Sequence, residues 1–127
     1  MHWLGWVTVA LATLEGGWFA FDGTRALIVG DYVTPSSGDH AGQLGPWSHV
    51  VSAIGIEPRS TFMKSVHVVL GVAWLAAIAS FVLGLAHGWT AMLICAVLGL
   101  WYLPIGTILG LIQIVLLFLP VLRTGGP

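Results

Sequence analysis

The chain is 127 residues long, with 57% of its residues hydrophobic and only 7% charged. Four Lys and Arg against five Asp and Glu leave a net charge of −1. Charges this sparse exclude an ordinary soluble surface, about a quarter of which is charged, and a nucleic-acid interface, which needs clustered Lys and Arg.

The length fits a single domain, and the mean hydropathy of +0.97 points to an all-α membrane protein. The expected architecture is four transmembrane helices with one long loop that carries a short interfacial amphipathic helix. The first predicted span covers 3–21, with Trp3 and Trp6 near one end and Trp18 and Phe19 near the other. Such rings form the aromatic belts of a membrane helix. The segment lacks a basic leader and a clean small-residue cleavage site, so it reads as a permanent span and not a signal peptide. Glu15 interrupts it. An acid at a helix centre costs roughly 2.5–3.5 kcal/mol on insertion scales, so it is expected to face a partner or a wet cavity.

Residues 22–63 are the polar loop. Gly23, Gly30 and Pro35 punctuate its start, and 24–33 reads equally as a short helix or an extended piece. The stretch 36–46 is turn-rich. Trp47, Val50, Val51 and Ile54 then recur at helical spacing, with Pro46 suited to a first turn, which predicts a short helix lying in the interface plane. Gly55 and Pro58 end it.

Ser60 or Thr61 is positioned to N-cap the second span, 65–86, with Lys64 placed to snorkel to the headgroups. His87 and Gly88 make a tight connection. As one helix, 89–122 would be about 51 Å long, and Pro104 with Gly106 divides it into spans 89–103 and 105–122. Arg123 closes the last helix, and 124–127 is expected to be a frayed tail. Arg25, Arg59 and Lys64 lie near span ends on the loop side, against Arg123 alone on the other. The positive-inside rule therefore puts the loop and the 103–106 turn in the cytoplasm and both termini outside, in a multi-pass cell-membrane protein.

Small residues four apart mark each span as a packing surface. They are Thr8, Ala12, Gly16 and Ala20; then Ala76, Ser80 and Gly84; then Ala91, Cys95 and Gly99; and the pair Gly106 and Gly110. They suit a compact bundle or a homo-oligomer equally. Cys95, the single cysteine, reads as one more small packing residue and excludes a disulfide framework.

Glu15, at roughly 9 Å depth, and Gln113, at roughly 12 Å, fall in the loop-side half of the spans, with His67 near the start of span two and Arg25 just above. These four form a candidate polar cluster, either a proton- or ligand-responsive site or a hydrogen-bonded pin between helices. His67 and His87 are about 30 Å apart along a helix and share no metal. The one cofactor the sequence leaves open is a haem shared through His67 in an oligomer. No metal site or catalytic motif is recognised.

The segments FDGTRALIVGDYVTP, GQLGPW and LWYLPIGTILG resemble small, functionally uncharacterised bacterial inner-membrane proteins with four helices, and no activity follows from that likeness. A distant second likeness is to the small multidrug resistance transporters, short four-helix proteins with a lone membrane Glu in helix one, as Glu15 is here. The chain departs from them in its loop of about forty residues after the first span. The leading expectation is a non-catalytic protein of the lipid bilayer, an accessory subunit associating with other membrane subunits or with itself, with no nucleic-acid partner. The alternatives are an oligomeric proton-coupled small-molecule transporter using Glu15, and a membrane redox or lipid-modifying enzyme using His67, Glu15 and the loop.

Overall fold

The computed structural model describes residues 2–123, so the tail expected at 124–127 lies outside the described residues. The chain is all-helical, with no strand among the described residues. In order the helices are α1 (Trp3–Val29), α2 (Trp47–Ala53), α3 (Thr61–Val82), α4 (Gly88–Leu98), α5 (Ile105–Leu117) and α6 (Pro120–Arg123). Two of them, α1 and α3, are long and apolar enough to cross a membrane.

The main contacts run α1–α3, α3–α4, α4–α5 and α5–α1, closing a four-membered ring. Short turns join α3 to α4 and α4 to α5, which makes those neighbours antiparallel. α1 and α3 are antiparallel too, since Lys64 Nζ at the start of α3 donates to the Gly30 carbonyl oxygen just past α1, at 2.8 Å. The polar loop and the α4–α5 turn therefore share one end of the bundle, the loop end.

The first helix is longer than the sequence predicts. It runs through Asp22 to Val29 and stops at Gly30, whose φ of +106° and N–H bond to the Ala26 carbonyl oxygen form a left-handed cap. The loop thus begins at residue 30, and 24–29 is helical. The reason lies in packing. Gly5, Thr8, Ala12, Glu15, Phe19, Asp22 and Ala26 are buried at alternating spacings of three and four. That is the seven-residue recurrence of a helix following its neighbour over its full length. Gly16 and Gly23 lie against α3, where a Cβ would come within 2.7 Å of the Trp74 and His67 Cβ atoms respectively. From α3, Gly71 meets the Ala20 backbone.

α3 is N-capped by Ser60, whose Oγ accepts from the Met63 N–H at 3.1 Å. It ends at Val82, four residues before the predicted boundary. Gly84 is left-handed (φ +71°), and the Leu85 N–H reaches back to the Ser80 carbonyl oxygen at 3.0 Å, so Gly84 terminates the helix. The inward face of α3 is Met63, His67, Leu70, Gly71, Trp74, Ala77 and Phe81. The predicted stripe is displaced from it: Ala76 and Gly84 are exposed and Ser80 is half-buried. Bulky Trp74 and Phe81 fill the interior, and the small residues opposing them are on α1 and α4. Cys95 and Gly99 are buried as expected of packing residues, and so are Gly106 and Gly110.

α4 and α5 are shorter than the predicted spans 89–103 and 105–122. They have 11 and 13 residues, or about 16 and 20 Å. The segment 99–104 is a turn, and a break after Leu117 separates α5 from α6. At this other end the Trp89 indole N–H donates to the Leu117 carbonyl oxygen at 2.7 Å, and the Arg123 guanidinium lies over Trp89 and Phe118. α2 begins at Trp47 as its proline predicts, and it turns Trp47 and Val51 inward while Ile54 stays exposed.

Candidate functional site: two carboxylates on one helix face

Glu15 and Asp22 are seven residues apart, so both point into the bundle from the same face of α1, about 10 Å apart along its axis. Their surroundings differ. Around Glu15, the Gln113 side-chain amide donates to Oε1 at 2.9 Å, joining α1 to α5. Oε2 lies against two glycines of the α4–α5 hairpin. A Cβ on Gly99 would be 2.7 Å from it and one on Gly106 3.1 Å. Neither Oε2 nor the Gln113 Oε1 has a hydrogen-bond partner among the described residues. A cavity of about 260 Å³ adjoins this pair, walled by Leu14, Trp18, Phe19, Tyr102, Ile105 and Leu109.

Near the loop end, Asp22 Oδ1 accepts from the Val33 backbone N–H at 2.7 Å. Its carboxylate lines a second cavity of about 320 Å³, together with Trp18, Tyr32, Leu44, Trp47, Tyr102 and Pro104. The two cavities share Trp18, Tyr102 and Ile105 as walls. The Trp18 indole N–H donates to the Tyr102 hydroxyl oxygen at 2.8 Å, a bond between two residues that line both cavities. The Tyr32 hydroxyl donates to the Pro58 carbonyl oxygen at 2.8 Å. Burial, reinforced by the charges of Asp22 and Asp31, pushes the Tyr32 phenol up from its ordinary value, which keeps it a donor.

Of the four residues grouped from sequence, the structure joins only Glu15 and Gln113. His67 belongs to an aromatic box further toward the loop end. The rings of Phe19, Tyr32, Trp47, Trp101 and Tyr102 surround it with centroids 4.8–5.8 Å away. Its Nδ1 bonds the Met63 carbonyl oxygen at 2.9 Å, which makes Nδ1 the protonated nitrogen and leaves Nε2 a lone pair without a partner. Arg25 faces the loop, with Nη1 donating to the Asp31 carbonyl oxygen at 2.8 Å. Among the described residues no three His, Cys, Asp or Glu side chains are grouped to hold a metal.

Asp22, Trp47 and Tyr102 were not singled out from sequence as site residues. The recurrence that places Asp22 beneath Glu15 on α1 is visible there, because counting by seven from Thr8 gives Glu15 and then Asp22. Comparison with known proteins adds no family to this geometry: no family model, no curated protein and no solved structure matches the chain.

Proposed function

We propose that this chain is a multi-pass protein of the cell membrane, crossed by α1, α3, α4 and α5, and that it works without catalysis as an accessory subunit of a membrane complex. The observation that carries this reading is the reversed placement of polarity. Thr8, Glu15, Asp22, His67 and Gln113 are buried, while large apolar side chains such as Val69 (67% exposed) and Val115 (65% exposed) face outward. Water would oppose that arrangement, and hydrocarbon favours it. The 99–104 turn and α6 lengthen the two short crossings, α2 lies at the headgroups, and the basic residues put the loop end in the cytoplasm with both termini outside. Single cysteines placed at Asp39 and at His87, in a Cys95→Ala background, test the topology. A membrane-impermeant thiol reagent added to intact cells should label position 87 and spare position 39, and the opposite pattern would reverse the orientation. Purification in mild detergent tests the subunit reading, with larger membrane proteins expected to co-purify from wild type and from Glu15→Gln alike. A chain recovered alone under every mild condition would end that reading.

The second reading is a proton-coupled transporter acting through Glu15. It is favoured by the two cavities, each lined by an acidic residue and both bordered by the hydrogen-bonded Trp18 and Tyr102. In sealed vesicles this reading requires Glu15→Gln to abolish proton-driven uptake, and unchanged uptake would dismiss it.

A further inference from the structure

None of the four basic side chains forms an ion pair with Asp22, although the charge of Arg25, three residues further along α1, acts on it. Arg25 donates to the Asp31 carbonyl oxygen. Arg59 donates through Nε to the Asp31 carboxylate and through Nη2 to the Gly42 carbonyl oxygen. Lys64 donates to the Gly30 carbonyl oxygen, and Arg123 lies at the other end of the bundle over Trp89 and Phe118. Among the described residues the one ion pair is Arg59 with Asp31. Asp22 is 2% exposed, accepts one backbone N–H and makes no direct ion pair among the described residues. Yet its carboxylate lines a cavity.

The rest of the cavity wall fits a particular kind of cation. Four aromatic residues contribute to it: Trp18, Tyr32, Trp47 and Tyr102. Their polar atoms are partly committed elsewhere, since the Tyr32 hydroxyl bonds Pro58 and the Trp18 N–H bonds the Tyr102 oxygen. The wall thus combines four aromatic residues and apolar neighbours with one acidic residue, Asp22. A bare metal ion needs several oxygen ligands, which are not grouped here. An alkylammonium cation needs a counter-charge and aromatic walls in place of water. The volume, about 320 Å³, sits at the small end of ligand pockets, which run from about 300 Å³. Trp18 and Ile105 are exposed on the outer surface of the bundle, so the rim meets the surroundings at the loop end.

We propose that this loop-end cavity binds a small alkylammonium group between Asp22 and its aromatic wall, either as a free amine or as the headgroup of a phospholipid. The site rests on the cavity and the unpaired carboxylate and does not require transport.

The test is a titration of the purified full chain in a non-ionic maltoside micelle, read by tryptophan fluorescence and calorimetry at constant ionic strength. The probes are choline chloride, sodium chloride and 3,3-dimethylbutan-1-ol, the uncharged isostere of choline. Choline should give a saturable change, and the alcohol and sodium should not. Asp22→Asn keeps an oxygen for the Val33 N–H while replacing the charged carboxylate with a neutral amide, and it should weaken choline binding by about tenfold or more. Equal binding of choline and its isostere, no saturable response to choline, or an Asp22→Asn variant that binds as wild type would each overturn the proposal. If that variant does not fold, the comparison of choline with its isostere on wild type still decides. Repeating the titration in phosphatidylcholine and phosphatidylglycerol nanodiscs identifies the source. Competition by the choline lipid assigns the site to a headgroup, and identical affinities in the two assign it to a free cation.

Discussion

Glu15 and Asp22 occupy equivalent places on one helix face and each borders a cavity, yet one cavity is walled by helices and the α4–α5 hairpin and the other partly by loop. The difference arises on the opposite side of the bundle. At the level of Glu15, α1 faces α5 and the hairpin glycines, so Gln113, Gly99 and Gly106 close around the carboxyl group. By the level of Asp22 the α4–α5 hairpin has already turned back at 99–104. Tyr32, Val33, Leu44 and Trp47 from the polar loop fill the notch, and they leave a cavity. The same residue class on the same face thus clasps a facing helix in one place and meets only a loop backbone N–H in the other. Neighbour height decides which.

Three perturbations separate the two regions, in descending order of effect. Gly71→Val strikes both, because its side chain would run into the Ala20 backbone, which lies between the two acids and nearer Asp22. The α1–α3 seam would have to open at a cost of about 3 kcal/mol or more, seen as loss of a monodisperse peak in detergent and of the thermal transition. Gln113→Leu strikes the enclosed site alone. It strands a buried carboxyl group that has no other protein partner, and it should destabilise by about 1–3 kcal/mol, whereas Glu15→Gln, which keeps an acceptor oxygen, should cost less. A thermal melt in which the two variants were equally damaged would remove the hydrogen bond from the account.

Acidification probes the polar loop through Asp31. Burial raises the Asp31 pKa, but hydrogen bonds from Arg59 and the Tyr32 N–H, with the charges of Arg59 and Lys64, outweigh it and hold the carboxyl group below the ordinary aspartate value. A depressed folded-state pKa adds stability that is fully present above the unfolded value and is lost as pH falls through the folded one. The pair is 43% exposed on each side, so its share is only about 0.2–1 kcal/mol. Limited proteolysis of the loop should quicken below the ordinary aspartate range in wild type and show no such acid step in Asp31→Asn.

Much of this was legible in the sequence where a single physical rule acts alone. The Ser60 cap, the helix starting after Pro46 and the turn at Pro104 follow from local backbone chemistry. The expectation that Glu15 turns inward follows from the cost of an acid in hydrocarbon. The rest depended on what lies opposite. Asp22 and Gly23 look like the start of a loop, but they continue α1 because α3 offers a surface for them at His67 and Val68. Ala76, Ser80 and Gly84 have the spacing of a packing stripe, but Trp74 and Phe81 claim the inward face of α3. His67 and Arg25 lie near Glu15 in a one-dimensional estimate of depth. In the fold, His67 sits beside Gly23, about 12 Å further along α1 by helical rise.

The unequal lengths of the two hairpins carry a consequence for the lipid. α1 and α3 contain 27 and 22 residues, about 40 and 33 Å of rise, whereas α4 and α5 have about 16–20 Å of helix, extended only by the 99–104 turn and the single turn of α6. In the bilayer proposed for it, the protein is therefore a wedge in hydrophobic height. A mismatch on one flank is met by tilting the body or by thinning the adjoining leaflet, and either response would favour thinner membranes and draw the short flanks of two copies together.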